Sequence, residues 1–179
     1  GGKLTVAFVG AMELWKGPHI AFDIFKQIEK ERRDVEFIMV GNGPYKHQVS
    51  LYQKLKKAGG KRFTFMRELS AQELSNVYKK ADILVAPTLY ESFGCILAES
   101  MMCGTPVIST RVGAVPETVG SGGMLVNYGE WARMKELITK LLDDDRLRRR
   151  LSKNAVMYSK QYSDDIVVKK VHNIYKKLC

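Results

Sequence analysis

Residues 87–99 read Pro-Thr-Leu-Tyr-Glu-Ser-Phe-Gly-Cys-Ile-Leu-Ala-Glu. The apolar run Asp82 to Ala86 before them reads as a short strand broken by Pro87, which has no N–H to give a sheet ladder. A helix is predicted from Phe93 to Cys103, stopped by Gly104. Such a helix start leaves the N–H groups of Ser92, Phe93, Gly94 and Cys95 without intrahelical acceptors. With the helix dipole they suit an anion, a diphosphate in particular. Gly94 has no side chain to hold a ligand away from the backbone.

The same alternation extends in both directions. Leu4 to Val9 reads as a strand, followed by a helix from Gly17 to Glu31 with Ile20, Phe22, Ile24, Phe25 and Ile28 apolar. Val35 to Val40 is a second strand, ended by the turn Gly41-Asn42-Gly43-Pro44. A helix over Tyr45–Ala58, a strand over Arg62–Met66 and a helix opened by the capping box Ser70-Ala71-Gln72-Glu73 and running to Lys80 come next. Beyond Gly104, Thr105–Ser109 and Gly123–Val126 read as strands. From Glu130 onward the pattern is helical in three segments, with breaks near Asp143-Asp144-Asp145 and Ser163.

Strands alternating with helices predict an α/β fold, a Rossmann-like parallel sheet with helices on both faces. Ligands of such sheets bind outside the carboxyl ends of the strands. That singles out four loops: 10–17, 41–45, 87–94 and 110–117. Glu91 and Glu99 stand eight positions apart in sequence, roughly 10 Å along a helix axis, which matches the reach from a sugar to the ribose of a sugar nucleotide. Each carboxylate can accept hydrogen bonds from two hydroxyls. The residues alone fit a second reading equally, with Glu91 favouring the helix start and Glu99 on the surface. Lys16, before Gly17-Pro18 at a helix start, suits a phosphate partner or a solvated cap. Arg111 suits a ligand or the surface.

Bulk properties bound the class. The chain has 179 residues, enough for one domain with a sizeable core, and a formal net charge of +10. That charge fits a nucleic acid, an anionic membrane surface or a phosphorylated ligand. Its densest part, Arg146, Arg148, Arg149, Arg150 and Lys153, also reads as a solvated helix face. Cys95, Cys103 and Cys179 form no disulfide or zinc pattern and read as small apolar fillers in a reducing cytoplasm. The start Gly1-Gly2-Lys3 reads as a linker and lacks the layout of a signal peptide, and no apolar stretch is long enough for a membrane span. His19, His47 and His172 read as ordinary histidines, and Phe63-Thr64-Phe65 as strand core.

Taken in order, Phe8-Val-Gly10, Lys16-Gly17, Val40-Gly-Asn-Gly-Pro44, Ala81 to Pro87, Glu91-Ser-Phe-Gly94, Glu99 to Ile108 and Gly113 to Glu117 resemble glycosyltransferase family 4, retaining transferases of the GT-B fold. The resemblance runs from Val6 to Leu178. It implies that residues 1–179 are the C-terminal donor-binding domain, with an N-terminal acceptor domain elsewhere. It implies Glu91 beside the reacting carbon of a UDP- or GDP-sugar, Glu99 on the ribose, and Lys16 on the leaving diphosphate. Gly10, Gly17, Gly41, Asn42, Gly43, Arg67, Leu69, Ser92, Phe93, Gly94 and Cys95 are the remaining donor contacts so implied, and no metal or other cofactor is expected. The implied partners are a nucleotide sugar of the mannose or glucose type and a saccharide or lipid-linked acceptor, with no nucleic acid; the basic cluster suggests a peripheral membrane contact. The sequence departs from the family pattern at Ala11, usually arginine, at Arg67, usually glycine, and at Ala114, the second residue of a glycine pair. Two other readings stay open at this point: a non-catalytic nucleotide-binding or regulatory module, and a basic nucleic-acid-binding domain.

Overall fold

The computed structural model describes residues 2–43 and 45–178. The linker reading of Gly1, the turn reading of Pro44 and the filler reading of Cys179 lie outside the described residues. In chain order the elements are β1 (Leu4–Ala11), α1 (Pro18–Glu31), β2 (Val35–Asn42), α2 (Lys46–Ala58), β3 (Phe63–Met66), α3 (Ala71–Lys80), β4 (Ile83–Ala86) and α4 (Cys95–Met102). They continue with β5 (Val107–Thr110), α5 (Val115–Val119), β6 (Gly123–Val126), α6 (Trp131–Asp143), α7 (Asp145–Ser159) and α8 (Asp164–Leu178).

The strands form one sheet in the order β3-β2-β1-β4-β5-β6, and every pairing is parallel. Alternate residues of each strand face opposite sides, as strand geometry requires. Val6, Phe8, Phe37, Met39, Ile83 and Val85 pack on one face with α1, α2 and α6. Ala7, Val9, Ile38, Val40, Leu84 and Ala86 pack on the other with α3, α4, α5 and α7. Burial on both faces explains why the strands read as unbroken apolar runs. Phe63 and Phe65 belong to this core, with the Phe63 ring 4.9 Å from that of Phe37.

Several expected boundaries shift, each for a local reason. The second turn begins later than expected, because Gly10↔Gly41 and Ala11↔Asn42 still pair and place these residues in strands. Helix α1 starts at Pro18 and not at Gly17, whose φ of 73° lies in the left-handed region. Helix α4 likewise starts at Cys95 and not at Phe93, since Gly94 has φ 88°. Arg62 precedes β3, and its guanidinium donates to the carbonyls of Glu29 and Arg32, closing the end of α1. Asp82 precedes β4, and its carboxylate accepts from Thr5 N at 2.8 Å. Strand β5 runs over Val107–Thr110, two residues being lost at its start because Pro106 has no N–H for the ladder and the Thr105 N–H is spent on the Ser100 carbonyl. The C-terminal breaks fall where expected, at Asp144, which caps α7 by accepting from Leu147 N at 2.8 Å, and at Ser163.

Candidate functional site

The order of the strands reverses between β1 and β4, and the crevice at their carboxyl ends is where an open α/β sheet takes a ligand. The chain leaving β1 makes a short 3₁₀ turn at Leu14–Lys16, and the chain leaving β4 passes through Thr88 to Glu91. The two are laced together: Leu89 N donates to Trp15 O at 2.7 Å. The Thr88 hydroxyl has one proton for the carbonyls of Tyr90 (2.8 Å) and Trp15 (3.1 Å). Gly17 seats this contact. A Cβ built there would lie 2.2 Å from Pro87 O, so only glycine fits.

The lacing brings Lys16 Nζ to 2.5 Å from Glu91 Oε2. The side chains are 18% and 10% exposed, so water screens this pair less than a surface pair. Glu91 is fixed by its own backbone. Its carbonyl accepts from Ala114 N at 3.0 Å, and Gly113, with φ 48°, passes so close that a Cβ would lie 2.2 Å from that oxygen. The loop after β5 thus clamps the loop after β4. The buried Thr110 hydroxyl adds a 2.5 Å bond to Thr88 O.

Beside this pair the start of α4 opens. Among the described residues, the N–H groups of Ser92, Phe93, Gly94 and Cys95 donate to no protein acceptor. Ser92, Phe93 and Cys95 are exposed and Gly94 is buried. The Phe93 carbonyl accepts from Thr118, and its ring stands edge-on to Tyr162 at 5.2 Å. Free N–H donors at a helix start, together with the helix dipole, favour an anion. Cys95 is a correction to the filler reading: at the first turn of α4 it is exposed, while Cys103 is half-buried.

Glu99 lies one turn into α4. It is an exposed residue of α4, and its Oε2 accepts from the Tyr78 hydroxyl of α3 at 2.9 Å. Burial, then the neighbouring Glu99 carboxylate, push the Tyr78 phenol well above its usual range, so it remains a donor. The two line an apolar groove of about 280 Å³ with Ala71, Leu74, Ser75 and Met102.

The remaining predicted residues are distributed along the same edge. Gly10 is the penultimate residue of β1, with the Phe8 ring 3.3 Å from where its Cβ would stand. A Cβ on Gly41 would meet Met12 Cε at 1.8 Å, and one on Gly43 would meet Gln48 Oε1 at 2.0 Å. These glycines therefore admit Met12 and Gln48, and Asn42 closes β2 between them. Arg67 lies with its guanidinium 5.3 Å from the Tyr52 ring and 3.4 Å from Glu68. Leu69 packs half-buried against the α3–α4 side of the core. Arg111 is exposed.

Sequence reading missed the braces. Gln48 is 5% exposed and donates to Glu13 at 2.5 Å, joining the loop after β1 to the first turn of α2. Tyr158 of α7 and Tyr162 of the turn after it both donate to the Glu117 carbonyl, at 2.7 and 3.0 Å, and so tie α5 to the C-terminal end of α7. A polar residue inside an apolar run, as at Thr88 and Thr110, was the one signal available for such roles. The basic cluster lies on α7, where Arg148 reaches Asp145 at 2.9 Å and Asp82 at 3.5 Å, while Arg146, Arg150 and Lys153 are exposed. No helix among the described residues is long and apolar enough to cross a membrane.

A parallel sheet with its switch point between β1 and β4, and with free helix-start donors next in the chain to the Lys16–Glu91 pair, defines an α/β domain of the Rossmann-like class. Comparison with known proteins makes the class specific. The chain belongs to the family described as glycosyl transferases group 1, whose sequence profile matches residues 1–157. It is 31% identical over 178 residues to a D-inositol 3-phosphate glycosyltransferase of Corynebacterium efficiens, covering 96% of this chain and 42% of the relative. Sucrose-phosphate synthase from Thermosynechococcus elongatus superposes with a TM-score of 0.82 at 25% identity, over 98% of this chain and 45% of that one. The C-terminal domain of a glycosyl transferase group 1 family protein from Francisella tularensis superposes with a TM-score of 0.78 at 25% identity, over 91% of this chain and 88% of that one. The chain spans less than half the length of the relatives it matches by sequence.

Proposed function

We propose that this chain is the donor-binding domain of a retaining glycosyltransferase that moves a mannose- or glucose-type hexosyl group from a UDP- or GDP-sugar to a saccharide or lipid-linked acceptor. The single observation that carries the reading is the row of free N–H groups at Ser92, Phe93, Gly94 and Cys95 beside the Lys16–Glu91 pair. The donor diphosphate would take those N–H groups and compete with Glu91 for the Lys16 ammonium. As the bond from the sugar carbon to the diphosphate breaks, negative charge grows on the leaving oxygen, and a preplaced ammonium with helix-start donors stabilises it. Glu91, released from Lys16, would face the sugar. Glu99, held by Tyr78, would take the ribose hydroxyls, and the loop carrying Arg67 and Leu69 would meet the base.

The charge stabilisation is supplied by protein groups, so the reading assigns no metal. Added EDTA should leave donor binding unchanged. Acceptor recognition belongs to a further, N-terminal domain of the full-length protein, and the isolated chain should bind donor without transferring sugar. Contact of α7 with a membrane's inner face is part of this reading. Anionic vesicles that fail to retain the full-length protein at low salt would remove it.

A titration of the chain with UDP, GDP and ADP, followed by short DNA, tests the core of the reading. Binding of one diphosphate that is lost in Glu99→Ala or Lys16→Ala supports it. Salt-sensitive DNA binding with no nucleotide binding would sink it. A second reading rests on Ala11 and on Arg67, which the structure lays against Tyr52: a nucleotide-binding module without transfer. Nucleotide binding with no sugar transfer by the full-length protein would favour it.

A further inference from the structure

Lys16 is held from two sides. Glu91 Oε2 lies 2.5 Å from its ammonium, and the indole ring of the preceding residue, Trp15, has its centroid 4.3 Å from the same nitrogen. Trp15 is 40% exposed, so burial alone does not account for where its ring stands. Its backbone is fixed independently of the ring. The Trp15 carbonyl accepts from Leu89 N, and the adjoining Gly17 is seated against Pro87. With the main chain pinned at residues 15–17, the freedom left near the ammonium is in the lysine stem, which is long and flexible.

The two restraints differ in kind. A carboxylate and a diphosphate are rival anions for one ammonium, so Glu91 loses Lys16 when a diphosphate arrives. An aromatic face attracts a cation through its quadrupole and carries no charge. It therefore does not repel the incoming anion, and it holds the ammonium through the exchange of partners. Without the ring, Lys16 would have to be ordered by the ligand itself, and that ordering would count against affinity.

We propose that Trp15 is a positioning residue, its indole face holding the Lys16 ammonium beside the free donors of α4 so that a diphosphate meets a cation already in place. The inference rests on the reading that a nucleoside diphosphate binds at this edge. It says which residue prepares the edge for the second phosphate.

Two measurements on the chain and its Trp15→Ala and Trp15→Phe variants test it. The first needs no ligand: NMR of the chain with ¹³C-labelled lysine, with Lys16→Met to assign the signal. Ring current should shift the Lys16 ε-methylene upfield in the parent chain and in Trp15→Phe, and the shift should vanish in Trp15→Ala. The second is the ratio of affinities for UDP over UMP and for GDP over GMP. Trp15→Ala should narrow that ratio about 2- to 30-fold, the range of cation–π energies, and Trp15→Phe should restore most of it. A tryptophan that merely supported the loop would weaken di- and monophosphates alike. An unshifted ε-methylene in the parent chain, or an unchanged ratio in Trp15→Ala, overturns the proposal. If the upfield shift is present and neither UDP nor GDP binds, the indole–ammonium contact is upheld and the nucleotide reading falls.

Discussion

The two ends of the sheet differ in what their polar groups have left to do. A cavity of about 470 Å³ lies at the amino ends of β4 and β5 between Asp82, Thr105, Pro106, Asp145, Arg148 and Arg149. Its arginines and aspartates answer one another. Arg148 reaches Asp145, Asp82 and the Leu141 carbonyl, Arg149 reaches Asp145 at 2.8 Å, and Thr105 is bonded to Tyr78 O. Among the described residues, the carboxyl end presents four free N–H groups and the Lys16–Glu91 ion pair. Unspent hydrogen-bonding capacity therefore distinguishes the candidate site from this cavity.

The sharpest way to break this comparison uses one glycine from each end. Gly17 and Gly104 both have positive φ, at 73° and 84°. A Cβ on Gly104 has its nearest neighbour at 3.5 Å, while one on Gly17 would stand 2.2 Å from the Pro87 carbonyl oxygen. Denaturant unfolding should show Gly104→Ala costing about 1–2 kcal/mol, from backbone conformation alone. Gly17→Ala should cost about 2–5 kcal/mol, since overpacking adds to the same term. Equal losses would mean that the carboxyl-end loops are not seated as tightly as the geometry requires.

A smaller effect separates the ends by function. Lys16→Ala should weaken binding of the preferred nucleoside diphosphate about 10- to 100-fold, the range for losing a charged hydrogen bond. Arg148→Ala, at the amino end, should leave that affinity unchanged and lower stability by about 1–2 kcal/mol, as a half-buried network loses its hub. Calorimetry for affinity and chemical denaturation for stability read the two variants side by side.

The smallest effect concerns the brace between α5 and the turn after α7. Burial, then the neighbouring Tyr158, push the Tyr162 phenol up to about 12, above its ordinary value of 10.0. The folded state thus favours the protonated form. The corresponding stability is fully present below pH 10 and is lost as pH rises through about 12. Tyr162→Phe should flatten the fall of melting temperature across that window and change little at pH 7. An alkaline melting curve identical to that of the parent chain would remove Tyr162 from the account.

The fold was legible because its signals are local. Apolar runs bounded by Gly17, Gly104 and Pro87 fixed the alternation, and the Ser70–Glu73 box marked the start of α3 within one residue. Boundaries slipped where tertiary contacts decide: β1 and β2 pair through Gly10 and Gly41, which read as turn residues in isolation. The chain order also placed Lys16, Glu91 and the α4 start near one another, since all lie at carboxyl ends of adjacent strands. The Lys16–Glu91 contact, 75 residues apart in sequence, was not legible, nor was the turn of Glu99 toward Tyr78. Such pairings depend on backbone contacts like Leu89 N to Trp15 O, which leave no residue signature.

The central claim is that the carboxyl end, with Lys16 and the α4 donors, receives a nucleoside diphosphate. Titration calorimetry of the chain with UDP and GDP, repeated on Lys16→Ala and Arg148→Ala, tests it most directly. The account predicts that one of the two nucleotides binds, that Lys16→Ala weakens it at least about tenfold, and that Arg148→Ala does not. Failure of both nucleotides to bind, or affinity lost with Arg148 and kept without Lys16, would contradict it.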